Sequence, residues 1–169
     1  SLHDALPISI TDIDAITNVA TTVVNENCRA HDGSVTIDSV TGGSAPYTYS
    51  FNGAAYSPTT VYNNLSAGTY TIDVKDTNGC IYSTTVTITN LPGPTAIATT
   101  LVNEACTSGN GSITIGTVTG GNAPYTFDFN GSGSFTSTTS YPNLSAGSYT
   151  IEVKDTNGCT FQTTVNITN

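Results

Sequence analysis

The 169-residue sequence contains no tryptophan and no methionine, and only 9% of it is charged. Lysine and arginine together number 3 against 12 acids, for a formal net charge of −9. So few cations give a phosphate backbone or an anionic lipid surface nothing to hold, which argues against nucleic acid and membrane surfaces as partners. Leucine, glutamate and lysine are scarce, and no stretch repeats apolar residues at the helical period. No apolar run is long enough to insert into a membrane as a spanning helix. CxxC pairs are absent, and the TGG at 41–43 is followed by neither helix nor lysine, so it is a turn and not a phosphate loop.

What remains is threonine, serine, glycine, asparagine and tyrosine, a vocabulary of strands and turns. In "YTIDV" at 70–74, Tyr70, Ile72 and Val74 point one way while Thr71 and Asp73 point the other. This period of two marks a half-buried strand. Asn78-Gly79 follows, residues that tolerate positive φ in a tight hairpin. "IYSTTVTIT" is the return strand, and Cys80 stands at its start.

The heptapeptide VKDTNGC occurs at 74–80 and again at 153–159. Around it, "NLSAGTYTIDVKDTNGC" at 64–80 matches "NLSAGSYTIEVKDTNGC" at 143–159. "TGGSAPYTYSFNG" at 41–53 matches "TGGNAPYTFDFNG" at 119–131, and "ATTVVNENC" at 20–28 matches "ATTLVNEAC" at 98–106. The offset is 78 from Cys28 to Cys106 and 79 from Cys80 to Cys159, with one residue inserted near Ser132–Ser134. The chain is therefore a tandem repeat of one small domain. Residues 1–8 fit no repeat and resemble a translated sequencing adapter; 9–18 read as the tail of a preceding repeat with its linker. Repeat one is expected over 19–90, a short stiff linker over 91–95, and repeat two over 96–169, the whole being a piece of a longer array.

Each unit, at about 75 residues, is near the lower limit for a single core. Six or seven short strands with frequent turn signals predict an all-β chain of two tandem immunoglobulin-like β-sandwich domains. The expected core of repeat one is Val35, Ile37, Tyr47, Tyr49, Phe51, Leu65, Tyr70, Ile72, Val74, Tyr82, Val86 and Ile88. The matching apolar positions of repeat two, from Ile113 to Ile167, form the second.

Four cysteines allow three pairings. Two per repeat at matching positions favour Cys28–Cys80 and Cys106–Cys159, each closing a loop of roughly 50 residues. The alternatives are reduced structural cysteines, a Cys80–Cys106 bridge across the linker, and zinc. Zinc finds little support, because His31 faces Gly109 in the other copy. A disulfide implies an oxidising compartment.

A cysteine, then "GSVTIDSVTGGSAPYTYSFNG", then "NLSAGTYTIDVKDTNGC" resembles the SprB-type repeat of very large surface adhesins of gliding bacteria. Phe51 and Phe129 stand where that pattern is expected to carry tryptophan. The resemblance implies a secreted cell-surface protein made of many such modules. It implies no catalytic residue and no particular ligand.

No base stands beside a nucleophile in both repeats, and the carboxylates flank strand ends. The chain is therefore read as a non-enzyme. These acids read as solvated charges and no cofactor is expected; the alternative is calcium, held near a junction by Glu26, Asp76 and Asn78 in repeat one and by Glu104, Asp155 and Asn157 in repeat two. Asp38-Ser39-Val40 resembles an O-glycosylation pattern of gliding bacteria, with Ser39 as acceptor. The functional expectation is a stalk or spacer in a secreted adhesin or extracellular filament. Its partners would be neighbouring repeats of the same chain, or other chains through head-to-tail self-association. The different reading is a ligand-binding adhesin module, taking glycan or ice on threonine rows such as Thr85, Thr87 and Thr89.

Overall fold

The computed structural model describes residues 14–169; the stretch at 1–8 and the first part of the 9–18 segment lie outside the described residues. The strands run, in chain order, β1 (Ile16–Val24), β2 (Glu26–Asn27), β3 (Gly33–Gly42), β4 (Thr48–Phe51), β5 (Val61–Leu65), β6 (Gly68–Lys75), β7 (Ile81–Ile88), β8 (Asn90–Leu91), β9 (Pro94–Val102), β10 (Gly111–Gly120), β11 (Thr126–Phe129), β12 (Ser140–Leu144), β13 (Gly147–Lys154) and β14 (Thr160–Ile167). The chain divides into two compact units. The first takes the chain up to Val24 and then Gly33–Ile88; the second takes Asn25–Asp32 and Thr89–Asn169.

In the first unit, β1, β3 and β5 form one antiparallel sheet and β4, β6 and β7 the other. This is the A-B-E and C-F-G order of an immunoglobulin-like sandwich lacking strand D. The alternation in β6 does the work expected of it: Ile72 and Val74 are fully buried while Thr71 and Asp73 are only partly so. They meet Val35 and Ile37 of β3 and Val86 and Ile88 of β7, with Tyr47, Tyr49, Phe51, Leu65, Tyr70 and Tyr82 packed around them. Ile16, inside the stretch expected to be linker, is 6% exposed and belongs to this core. β1 accordingly begins three residues ahead of the expected 19–90 boundary, in the described part of 9–18.

The second unit repeats the plan with β12-β10-β9 and β11-β13-β14. Ile113, Ile115, Phe127, Ile151, Val153 and Ile167 form its buried core. The stretch expected as linker, 91–95, is largely strand, since Leu91 lies in β8 and Pro94 opens β9. The aromatic pattern also recurs. Phe51 stacks on Tyr62 and Tyr70 with centroids 4.0 and 5.2 Å apart. Phe129 stacks on Tyr141 and Tyr149 at 3.9 and 5.6 Å. These rings occupy the place where tryptophan was expected. The Tyr70 and Tyr149 hydroxyls each donate to a backbone carbonyl four residues upstream, Ser66 and Ser145, at 2.8 Å.

Candidate functional site

The segment 25–32 leaves the strand order of repeat one and forms part of the second unit. Its β2 pairs in parallel with β8, Glu26 opposite Asn90 and Asn27 opposite Leu91. The Glu26 N–H donates to Thr89 O at 3.0 Å and the Cys28 N–H to Leu91 O at 3.1 Å. Arg29 N–H donates to the Asn90 side chain at 2.9 Å. The loop is tied internally as well. Asn27 N–H donates to Asp32 Oδ1 at 2.7 Å, and His31 N–H to Glu26 Oε1 at 2.9 Å. The Asn27 N–H holds the Asp32 carboxyl below its ordinary pKa.

This docking carries Cys28 to Cys159. The two are disulfide-bonded with Cα atoms 5.5 Å apart, inside the range a bridge requires. Cys80 and Cys106 are free thiols. The expected pairs Cys28–Cys80 and Cys106–Cys159 are thus replaced by one bond between a cysteine of repeat one and a cysteine of repeat two. The reason is the loop: Cys28 belongs to the second unit, whereas Cys80 stays in the hairpin turn of the first. Gly93 makes room for the bridge, because a Cβ there would fall 2.5 Å from Cys159 Cβ. A shallow cleft beside the bond is lined by Arg29, Asn90, Pro92, Thr95 and Thr160 among others.

The hairpin that presents the second cysteine is built on a carboxylate. Asp76 is 5% exposed and accepts from the backbone N–H groups of Ser44 (3.1 Å), Asn78 (3.0 Å) and Cys80 (2.8 Å). Burial pushes its carboxyl up, but these donors outweigh it and hold the pKa below 3.8. Asp155 accepts from Asn122, Asn157 and Cys159 in the same manner, at 3.0, 3.0 and 2.8 Å. Glu104 accepts from the N–H groups of Gly109 and Ala146, both at 2.6 Å.

Of the six residues named as calcium candidates, the four carboxylates act as hydrogen-bond acceptors in the scaffold. Glu26, Asp76, Glu104 and Asp155 spend carboxylate oxygens on backbone N–H groups, and Asn78 donates its side-chain amide to Ser44 Oγ at 2.9 Å. Asn157 sits in the turn under Asp155. Among the described residues no group of three or more His, Cys, Asp or Glu is placed to hold a metal.

Ser39 lies exposed on β3 opposite Ala20, beside a register shift between Ala20 and Thr21. Thr85 and Thr87 lie on the outer face of β7, with Thr89 just beyond it. Thr69 and Thr87 share a hydrogen bond of 3.2 Å, and Ser83 donates to Asp73 at 2.6 Å. In the second unit the equivalents of Thr87 and Ser83 are Asn166 and Gln162, so the threonine row is interrupted there, with Thr164 and Thr168 on either side of Asn166. Two contacts went unforeseen: Lys75 Nζ lies 4.1 Å from the Tyr56 ring centroid and Lys154 Nζ 3.8 Å from that of Phe135. Their signal was in the sequence, since lysine and ring recur at the same offset.

The family model for the SprB repeat matches residues 20–55 and 98–134. Comparison with curated proteins gave no match. Among solved structures the chain is similar to the Down Syndrome Cell Adhesion Molecule, N-terminal eight Ig domains (13% identity, 92% of this chain and 24% of that one, TM-score 0.39). It is also similar to murine CEACAM1b (13%, 89% and 98%, 0.33) and to surface layer protein SbsC, domains 4–9 (15%, 90% and 30%, 0.34). The chain spans about a quarter of the first of these.

Proposed function

We propose that this chain, which carries two SprB repeats in tandem, is a non-catalytic spacer segment of a secreted bacterial cell-surface adhesin or extracellular filament. Its task in this reading is reach and durability. The observation that carries the proposal is the Cys28–Cys159 bond, which closes 131 residues of sequence into one covalent loop. Such a bond withholds chain from extension and limits the freedom of the unfolded state, and both are useful to a tether under load. A structural disulfide also fits an oxidising, extracytoplasmic location. The acidic side chains serve as hydrogen-bond acceptors for the scaffold, and the outer threonines hydrogen-bond across strands, as solvated sheet faces do.

The test is display. The chain is placed between a surface anchor and an outboard epitope on a bacterial cell. Antibody access to the epitope is expected with the chain present and lost when it is deleted. The purified chain is expected to give no saturable signal on a glycan array or in an ice-affinity assay. A saturable signal in either would replace the spacer reading with the ligand-binding one.

A further inference from the structure

The disulfide joins two different kinds of cysteine. Cys28 is a loop cysteine: it has φ 53°, it follows an Asn-Glu pair, and its loop is closed by Asp32 on the Asn27 N–H. Cys159 is a hairpin cysteine, its N–H bound to Asp155 Oδ1 at 2.8 Å behind Gly158 with φ 85°. The two free thiols are one of each kind.

Cys106 repeats the loop site. Its φ is 55°, and Thr107 at 53° follows it as Arg29 at 58° follows Cys28. Ala105 N–H donates to Asn110 Oδ1 at 2.8 Å, as Asn27 does to Asp32 at 2.7 Å. Glu104 N–H donates to Thr168 O at 2.9 Å, as Glu26 does to Thr89 at 3.0 Å. Asn103 Oδ1 accepts from Thr168 N–H at 3.1 Å, as Asn25 does from Thr89 at 3.0 Å. Cys80 repeats the hairpin turn, with Ala15 in the place of Gly93. Its N–H is held by Asp76 Oδ1 at 2.8 Å behind Gly79 with φ 86°. The Asp76–Cys80 and Asp155–Cys159 backbone bonds, N–H to carbonyl, are 3.1 and 3.0 Å. Both thiols are reachable, Cys106 exposed and Cys80 partly so.

We infer that Cys106 and Cys80 are the two halves of a second disulfide of the same type, made between copies: Cys106 of one chain bonds Cys80 of another, head to tail. Each copy then offers one loop cysteine and one hairpin cysteine. Such a heterologous contact propagates until it closes into a ring or runs on as a filament. The bond forms by thiol–disulfide exchange with a small-molecule disulfide. One thiolate attacks oxidised glutathione and releases one glutathione thiol. The other thiolate then attacks the mixed disulfide and releases the second. Two protein thiols and one oxidised glutathione become one protein disulfide and two reduced glutathiones.

The inference deepens the spacer reading and rests on it, since covalent linkage of successive spacers only matters in a tether. The display assay does not depend on Cys80 or Cys106, so the two fail separately. The experiment uses the whole 169-residue chain in a glutathione redox buffer, read on non-reducing gels. Wild type is expected to form a ladder of multimers that yields a Cys106–Cys80 linked peptide. C80S and C106S are each expected to stay monomeric. An equal mixture of the two should give a dimer and nothing larger, about tenfold or more above either variant alone, as docking raises the effective concentration of the matched thiols. Equal dimer in C80S alone would mean random thiol oxidation and overturn the inference. So would an intrachain Cys80–Cys106 bond, or a mixture that remains monomeric.

Discussion

Pulling on the chain by its two ends separates the observed bridge from the expected ones. Residues 1–27 and 160–169 lie outside the Cys28–Cys159 bond, and everything between is shielded while the bond is intact. At roughly 3.3–3.6 Å per extended residue, the shielded separation of 131 residues withholds roughly 430–470 Å of contour. The outer segments can release only about 130 Å by the same measure. In a single-molecule trace, the oxidised chain is expected to stop near that shorter limit. After addition of a reductant, the same molecule should gain the withheld contour in two events, one for each sandwich. Two bridges within repeats would instead withhold about 170 Å per unit, at the same length per residue. A reductant-dependent gain of that smaller size, or traces identical in both buffers, would refute the reasoning.

Cys28→Ser should lower the stability of the second unit by up to about 5 kcal/mol, the chain-entropy value for a loop of this length; an unchanged denaturant midpoint would show the bond to be idle. Ile151→Ala empties a fully buried site and should cost about 2–5 kcal/mol in a urea titration. Phe129→Leu keeps most of the apolar bulk but removes the stack on Tyr141 and Tyr149, for a loss of about 0.5–1.5 kcal/mol beyond the change in buried area. Asp76 has a folded pKa below 3.8, so its contribution is fully present above that value and disappears as pH falls through the lower folded value. Asp76→Asn should therefore destabilise the first unit at neutral pH and flatten its acid limb. A variant whose urea midpoint follows the wild-type pH profile would contradict this.

Most of the sandwich was legible because it is written in local alternation. β6 and β13 bury Ile72, Val74, Ile151 and Val153 at a strict period of two, and every residue expected in the core packs there. Ile16 and Tyr62 were missed for opposite reasons. Ile16 sits beyond the edge of the matched repeat, and Tyr62 lies in a strand rich in asparagine whose burial comes from the Phe51 ring of the facing sheet. The cysteine pairing was not legible in the same way. Equivalence of positions is satisfied as well by a bond from Cys28 to Cys159 as by one from Cys28 to Cys80. The choice depends on where eight residues, 25–32, dock, and that is fixed by a parallel two-residue pairing that leaves no periodic trace. The carboxylates were ambiguous in a different way. A turn acid and a metal ligand use the same residues, and the turn role becomes visible only in the backbone N–H groups converging on Asp76 and Asp155.

The most direct measurement is a tryptic map of the unreduced monomer after its free thiols are alkylated. The three basic residues, Arg29, Lys75 and Lys154, put Cys28 on peptide 1–29, Cys159 on 155–169, and Cys80 and Cys106 together on 76–154. The account predicts that 1–29 and 155–169 emerge as one disulfide-linked species, with 76–154 free and alkylated at both cysteines. Recovery of all three peptides joined in a single species, with no alkylated cysteine, would mean that the bonds lie within the repeats and would contradict it.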